Sequence, residues 1–541
     1  MTSGADASLL LTGGHVYSPE DPFASAMLVA GGRIAWIGDD AGAQLYAADA
    51  HEVVDLRGAW VAPAFVDAHV HLTSTGLALT GLDLSAADSL AACLRMIREA
   101  AAGMPERGGI LLGHGWDDTA WPEGRPPTTA EVDGCVGDLP AYLSRVDVHS
   151  ALASTALRAQ VPSAAAEDGW SSEGPVARAA HHALREAALR AVDAQQRARV
   201  QRAALHTAAA RGIASLHENA GPTISSAEDL LDALDLGRQD SMPEVIGYWG
   251  QLHGQEAVRD LGARGAAGDL FVDGSIGSHT ACLSAPYVDA DPVTTGAAYL
   301  TAEDVASHVA ASTLAGQQAG FHVIGDGATR IVTDGLRLAA AEVGSDALRT
   351  ARHRLEHLEM PDDEGLALLA DLGVVASVQP AFDAAWGGSH GMYAQRLGAE
   401  RAATLNPFAP MLARGVVLAL GSDAPVTPLD PWGSVRAAAW HTREGYRISV
   451  RAAFAAHTRG GRRAARDEGS QPGVLAVGSP ATYAVWEPGP LVVQAPDGRV
   501  AAWSTDPRSG TPPLPDLSGE APRCWRTVRD GVTIHDSGDL A

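Results

Sequence analysis

Two histidines one residue apart, His69 and His71, close the apolar run VAPAFVDAHVHL at residues 61–72. Side chains on a strand alternate faces with a period of two, so both imidazoles leave the same face. Two neutral imidazoles aimed into one site are a common way of holding a divalent cation such as zinc. The plainer alternative is a pair of strand-end polar residues satisfied by backbone or water. Other polar residues close later apolar runs: His217 and Glu218 in IASLHEN, His322 in GFHVIGD, His357 in HRLEHLE and Asp423 in VVLALGSDAPV. Three or four histidines and an aspartate brought to one point would form an open catalytic metal site, protein ligands plus one position for water.

Strands of one sheet must bring those residues together. Eight short apolar runs qualify: VAPAFVDAHVH, IASLHEN, EVIGYWGQ, DLFVDGS, GFHVIGD, HRLEHLE, GVVASVQ and GVVLALGSD. Most are separated by helix-length segments such as TAEDVASHVAASTLAGQQAG. Repeated strand–helix alternation predicts a parallel sheet of the α/β class, and eight strands suit a (β/α)8 TIM barrel. The histidines and Asp423 then lie at the C-terminal strand ends, where a barrel does its chemistry. Residues of about 76–200 are expected as an insertion, with strands GGILLGHGW and AYLSRVDVH and an Ala/Arg-rich helical stretch over 176–211. Residues 1–60 read as β-runs with glycine turns, GG before apolar alternation suggesting hairpins. Residues 471–541 are β-like and Pro/Gly-rich again and are expected to complete that layer, leaving 61–470 as the barrel.

Composition narrows the function classes. The 541 residues are 46% hydrophobic and 19% charged, an ordinary globular balance with ample core. A net charge of −26 argues against a nucleic-acid or anionic-membrane surface and leaves a small molecule as the expected partner. No uninterrupted apolar run is long enough for a membrane span, and the N-terminus lacks the basic and apolar regions of a secretory signal. The four cysteines show no CxxC spacing, so a reducing cytoplasm is the expected location, and a homo-oligomer is compatible with the sequence. The glycines of VIGDGA lack the GxGxxG spacing of a nucleotide site. The chain contains no lysine, so all 39 basic residues are arginine and any lysine-dependent mechanism is excluded.

The chain resembles the amidohydrolase superfamily of metal-dependent hydrolases over essentially its whole length. More narrowly it is similar to the branch that includes N-substituted formamide deformylases. The motifs are RVDVHSALAST (145–155), FVDGSIGSHTA (271–281), HVIGDGA (322–328), RLEHLE (354–359), SVQPAF (377–382) and GSDAPV (421–426), beside VAPAFVDAHVHL. The resemblance implies a β/α barrel beside a composite β-sandwich built from both chain ends. It implies metal ligation by His69, His71, His322 and Asp423, with His357 binding a second metal or the substrate. Many relatives carry a carbamylated lysine on the fourth strand that bridges two metals. Here that position is Asp269, a further candidate ligand, and Asp273 lies four residues on. Without the bridge, one zinc ion per chain is expected, with the second site weak or absent.

The implied activity is hydrolysis of a C–N bond, an N-acyl or N-formyl amide of a small molecule. Asp423 would be the general base, and His357, with His217, would polarise the carbonyl. Deamination or cyclic-amide opening on the same site, and a catalytically silent ligand-binding relative, are the alternatives. Candidate substrate contacts are His217, Glu218, Trp116, Arg145 and Ser275. His114, Trp116 and Trp121 would cap the pocket, His149, Ser278 and His279 are further candidates, and a buried Arg145–Asp147 ion pair is the ordinary alternative for Arg145.

Overall fold

All six residues of Phe65–Val70 are buried, as expected of a strand covered on both faces. This strand, β1, opens a series continued by β2 (Ile213–Ala220), β3 (Glu244–Trp249), β4 (Gly265–Ala266), β5 (Gln318–Val323), β6 (Arg354–His357), β7 (Val375–Val378) and β8 (Val417–Leu420). The structure, a computed structural model, describes residues 8–104, 109–467, 469, 471–494, 503–504 and 511–540. Of the terminal stretches read as β-layer, residues 1–7, 495–502 and 505–510 lie outside the described residues.

The strands pair in parallel in two arcs, β3-β2-β1 and β4-β5-β6-β7-β8. A Val70–Ala424 bridge joins β1 to the chain leaving β8, and the Arg264 N–H donates to the Gly247 carbonyl at 2.7 Å, tying β3 to the approach to β4. The result is a nearly closed (β/α)8 barrel. From β5 to β8 the alternation is clean. Phe321, Leu355, Val378 and Leu420 join the core beneath the helices, which leaves His322, Arg354, Glu356 and Ser377 for the barrel interior. Burying each such large apolar side chain contributes about 1.5–3 kcal/mol.

Three local expectations differ from the structure. DLFVDGS does not form a regular strand: pairing stops at Ala266, Gly268 adopts φ +88, and a single Phe271–His322 bridge follows. The Asp273 carboxylate holds this turn by accepting from the backbone N–H groups of Cys282 (2.9 Å), Ile324 (3.0 Å) and Gly325 (2.8 Å). The helical stretch over 176–211 is two helices, Arg178–Arg190 and Ala194–Ala210, because Asp193 caps the second by accepting from the Gln196 N–H at 2.7 Å. Of the two GG pairs, Gly31-Gly32 turns a hairpin between Ala26–Ala30 and Arg33–Gly38, whereas Gly13-Gly14 carries the chain from one sheet to another.

Strands from both ends of the chain share one five-stranded sheet: His15–Val16, Trp60–Pro63, Tyr483–Trp486, Cys524–Arg529 and Val532–Asp536. It packs on a four-stranded sheet through Leu11, Met27, Val61, Tyr483 and Val528. Between β1 and β2 lies a separate five-stranded sheet of Leu82–Asp83, Leu111–Trp116, Ala141–Arg145, Ser150–Ala153 and Val176–Ala177. It has its own core around Ile97, Trp116 and Leu143 and covers one side of the barrel mouth.

Candidate metal centre

Imidazoles can be held for metal binding only if one ring nitrogen is anchored and the other left free. His69 donates Nδ1–H to Glu356 Oε2 at 2.9 Å, His71 to the Asn219 carbonyl at 3.1 Å and His357 to Gln379 Oε1 at 2.8 Å. Each acceptor takes the Nδ1 proton, so each neutral ring presents the Nε2 lone pair. Those Nε2 atoms converge on two carboxylates. His71 Nε2 lies 3.1 Å from Asp269 Oδ2 and 3.2 Å from Asp423 Oδ1, and His69 Nε2 lies 3.5 and 3.3 Å from the same atoms. His357 Nε2 is 3.7 Å from Asp269 Oδ1.

Donor atoms within reach of a single ion form two overlapping groups, His69/Asp269/His357 and His69/His71/Asp423. His69 Nε2, His357 Nε2, Asp269 Oδ1 and Asp423 Oδ1 are all buried without a hydrogen-bond partner. Buried polar atoms are normally satisfied, so a convergent set of orphans fits a missing cation. Backbone strain concentrates here too: His357 (φ 69) and Asp423 (φ 54) both occupy the left-handed region, about 1–3 kcal/mol each. That turn of the chain is what aims both side chains into the barrel mouth.

The short Asp269 side chain therefore reaches the histidines. Asp273 does not; its oxygens are taken up by backbone amides. His322 stands outside both donor groups. Its ring packs edge-on against His357 (centroids 4.5 Å apart) and Phe271 (4.8 Å), and both its nitrogens are buried without partners, facing the same cleft.

The electrostatics of these side chains follow from this crowding. Burial pushes His69 and His71 toward the neutral form, but the Asp269 and Asp423 carboxylates override it, raising His71 to about 9 and His69 well above its ordinary value. Burial likewise opposes ionisation of Asp269 and Asp423, and the imidazoliums hold both below the usual carboxylate range. His322 is pushed down to about 3, by burial and then by the charge on His357. Burial raises Glu218 to about 8.

A stability change with pH follows. His71 and Glu218 both bind their proton more tightly when folded than the ordinary 6.5 and 4.5 of the free side chains. Their contribution is present at low pH and lost as pH rises through about 8 and 9. The Tm of metal-stripped protein is expected to fall between pH 7 and about 9.5, and metal binding, which needs neutral imidazoles, to release protons over the same range. A Tm that holds or rises over that interval would contradict the assignment.

Several expected substrate contacts are corrected. His217 and Glu218 do not line the cleft: His217 Nδ1 accepts from Arg354 at 3.1 Å, and Glu218 accepts from the Leu72 N–H at 2.7 Å. The β2 end is used for structure, because buried groups beneath the site must be satisfied. Trp116 and Trp121 do not cap the pocket either; their indole N–H groups bond the Leu143 and Ala87 carbonyls, both at 2.8 Å, within the core of the insertion. Arg145 is taken up by carboxylates, with Asp117 at 2.7 Å, Asp147 at 3.0 Å and Asp118 at 3.5 Å. Ser275 donates to Asp147 at 2.8 Å, as does Ser278 at 2.7 Å, and Ser275 lines a small cavity beside His322, His357 and Asp423. His279 faces away, paired with Asp289 at 2.9 Å. His114 and His149 do line the cleft.

Further residues at or beneath the site were not among the expectations from sequence. Glu356 could have been found, since alternation about buried Leu355 sends it inward with Arg354. Tyr142, His182, Arg185 and Phe271 line the same cleft, a concave and mostly apolar site of the kind that takes a small molecule. Nothing local in the Ala/Arg-rich stretch separates Arg185 from its neighbours.

Comparison with known proteins places this geometry. A family model described as "Amidohydrolase family" matches residues 52–535. Protein LONG AFTER FAR-RED 3 of Arabidopsis thaliana is 29% identical over 81% of this chain and 78% of its own length. The N-substituted formamide deformylase of Arthrobacter pascens is 25% identical over 80% of this chain and 83% of its own. The crystal structure of an uncharacterized metal-dependent hydrolase from Pyrococcus furiosus superposes with a TM-score of 0.67 at 25% identity, over 88% of this chain and 98% of that one.

Proposed function

The chain belongs to the amidohydrolase family, and from that premise we propose that it is a metal-dependent hydrolase cleaving the C–N bond of a small N-acyl or N-formyl amide. The observation that carries this is the convergence of three anchored imidazoles and two carboxylates, with His69 Nε2, His357 Nε2, Asp269 Oδ1 and Asp423 Oδ1 buried and without a hydrogen-bond partner. The amide reading is supported by the similarity to the formamide deformylase.

The residues that would hold the ion are His69, His71, Asp269 and Asp423, with His357 completing one donor group and His322 across the cleft. When bound, a divalent ion such as zinc supplies Lewis-acid activation of water near neutral pH. One ion per chain is favoured by His69: Glu356 fixes its Nδ1 as donor, so the single Nε2 lone pair is claimed by both groups and cannot serve two ions at once. Asp423 accepts the proton of the attacking water and returns it to the leaving nitrogen. Water oxygen bonds to the carbonyl carbon, the C–N bond breaks, and the products are a carboxylate and an amine. His322, kept neutral by burial, is placed to donate to the carbonyl oxygen as negative charge develops there.

The test is product analysis with metal-loaded protein and a panel of N-formyl and N-acyl amides. Formate or another carboxylate, in equal amounts with the free amine, is expected. Ammonia released from amino-heterocycles with no amide turnover would favour deamination, and no turnover of either class would leave only a binding role.

A further inference from the structure

We propose that Arg185 binds a carboxylate of the substrate, so that the amide cleaved at the metal centre carries an anionic group joined to it by an apolar body. This deepens, and rests on, the hydrolase reading above. Arg185 lies on the helix Arg178–Arg190 and lines the same cleft as His71, Asp269 and Asp423. Its Nη2 is held by the Thr223 carbonyl and by His182 Nδ1 at 3.2 Å. Neither partner is an anion: one is a backbone carbonyl, and His182 is kept neutral by burial, then by Arg185 itself, its pKa down at about 3. The arm is thus positioned without its charge being neutralised.

The rest of the guanidinium is free. Nε is buried with no hydrogen-bond partner, Nη1 has none among the described residues, and no carboxylate there forms an ion pair with Arg185. The buried arginines of the described residues are satisfied in other ways: Arg145 meets three carboxylates, Arg354 is forked onto Glu356, and Arg158 donates to the Ala153, Ser171 and Gly174 carbonyls. Arg185 is half-buried with its Nε fully covered, and a cation left there without a counter-charge is costly. The Nη1–H groups are left to donate a charge-assisted hydrogen bond to a carboxylate oxygen. Asp269 is near enough for its charge to act on Arg185, yet it is turned to the histidines. Leu112, Leu189, Ile224 and Phe271 line the same cleft and fit an apolar body between the two polar ends.

The test compares matched probes, N-formyl-leucine and N-formyl-leucinamide in both enantiomers, by steady-state kinetics and by titration calorimetry. Wild-type protein is expected to prefer the acid by about 10–100-fold in kcat/KM and in Kd for one enantiomer. Arg185→Met should abolish that preference mainly through the KM of the acid, with a smaller loss for the neutral amide, and Arg185→Lys should restore part of it. Equal handling of acid and amide by wild type, binding of neither, or an equal loss of both in Arg185→Met would overturn the proposal; the last would make Arg185 a prop for the Thr223 loop. Acid-selective, Arg185-dependent binding with no cleavage of either probe would leave the carboxylate site standing and count against amide hydrolysis alone.

Discussion

Asp423→Asn is expected to lower kcat by about 10²–10⁴-fold, the range that a positioned general base contributes, with a much smaller change in KM. Asparagine keeps the size of the side chain and one oxygen but cannot take a proton. The left-handed backbone at Asp423 (φ 54) tolerates asparagine well, so the turn that aims the residue survives. Because Asp423 also belongs to a donor group, metal content is measured beside turnover. Loss of turnover with metal retained is the expected result. Near-normal turnover would show that the base lies elsewhere.

The second large effect is expected beneath the site. Arg354 is fully buried, and its guanidinium is shared among Glu356, the Ala68 carbonyl (2.7 Å), Ser377 (3.1 Å) and His217 (3.1 Å), with Tyr248 under its charge at 4.3 Å. Glu356 forks onto Arg354 and also accepts from His69. Burial opposes its ionisation, and Arg354 first, then His69, hold it down at about 2. Glu356→Ala strands a buried cation, at about 3–5 kcal/mol of folding stability, and frees the His69 ring, at about 10–100-fold in metal affinity. The two effects are separable. Glu356→Ala with Arg354→Met removes the stranded charge and should recover most of the stability in denaturant unfolding, but not the metal affinity. If the double variant recovers both, Glu356 does not orient His69.

Which parts of this site were legible in the sequence follows from the range of the forces involved. The β1 pair and the barrel itself are written in alternation and in strand–helix order, which are local signals; His357 and Asp423 are legible by strand-end position, but the left-handed turns that aim them are not. Asp269 was legible as a candidate donor but its reach was not, because that depends on where the chain leaves β4 at Gly268. His217, Glu218 and Trp116 share the strand-end position of the candidate metal ligands, and only their long-range partners, Arg354, Leu72 N–H and Leu143, turn them away from the cleft or into packing. Arg185 illustrates the reverse case. Its distinction is to line the cleft with no ion pair and an unpartnered Nε, a property of packing between a helix of the insertion and the barrel mouth that no local pattern encodes.

Elemental analysis of the purified protein tests the one-ion centre most directly, on wild type, Asp269→Ala and His71→Ala. One equivalent of a divalent metal per chain is expected in wild type, with most of it lost in both variants. Two equivalents in wild type, with the full complement kept in Asp269→Ala, would contradict it.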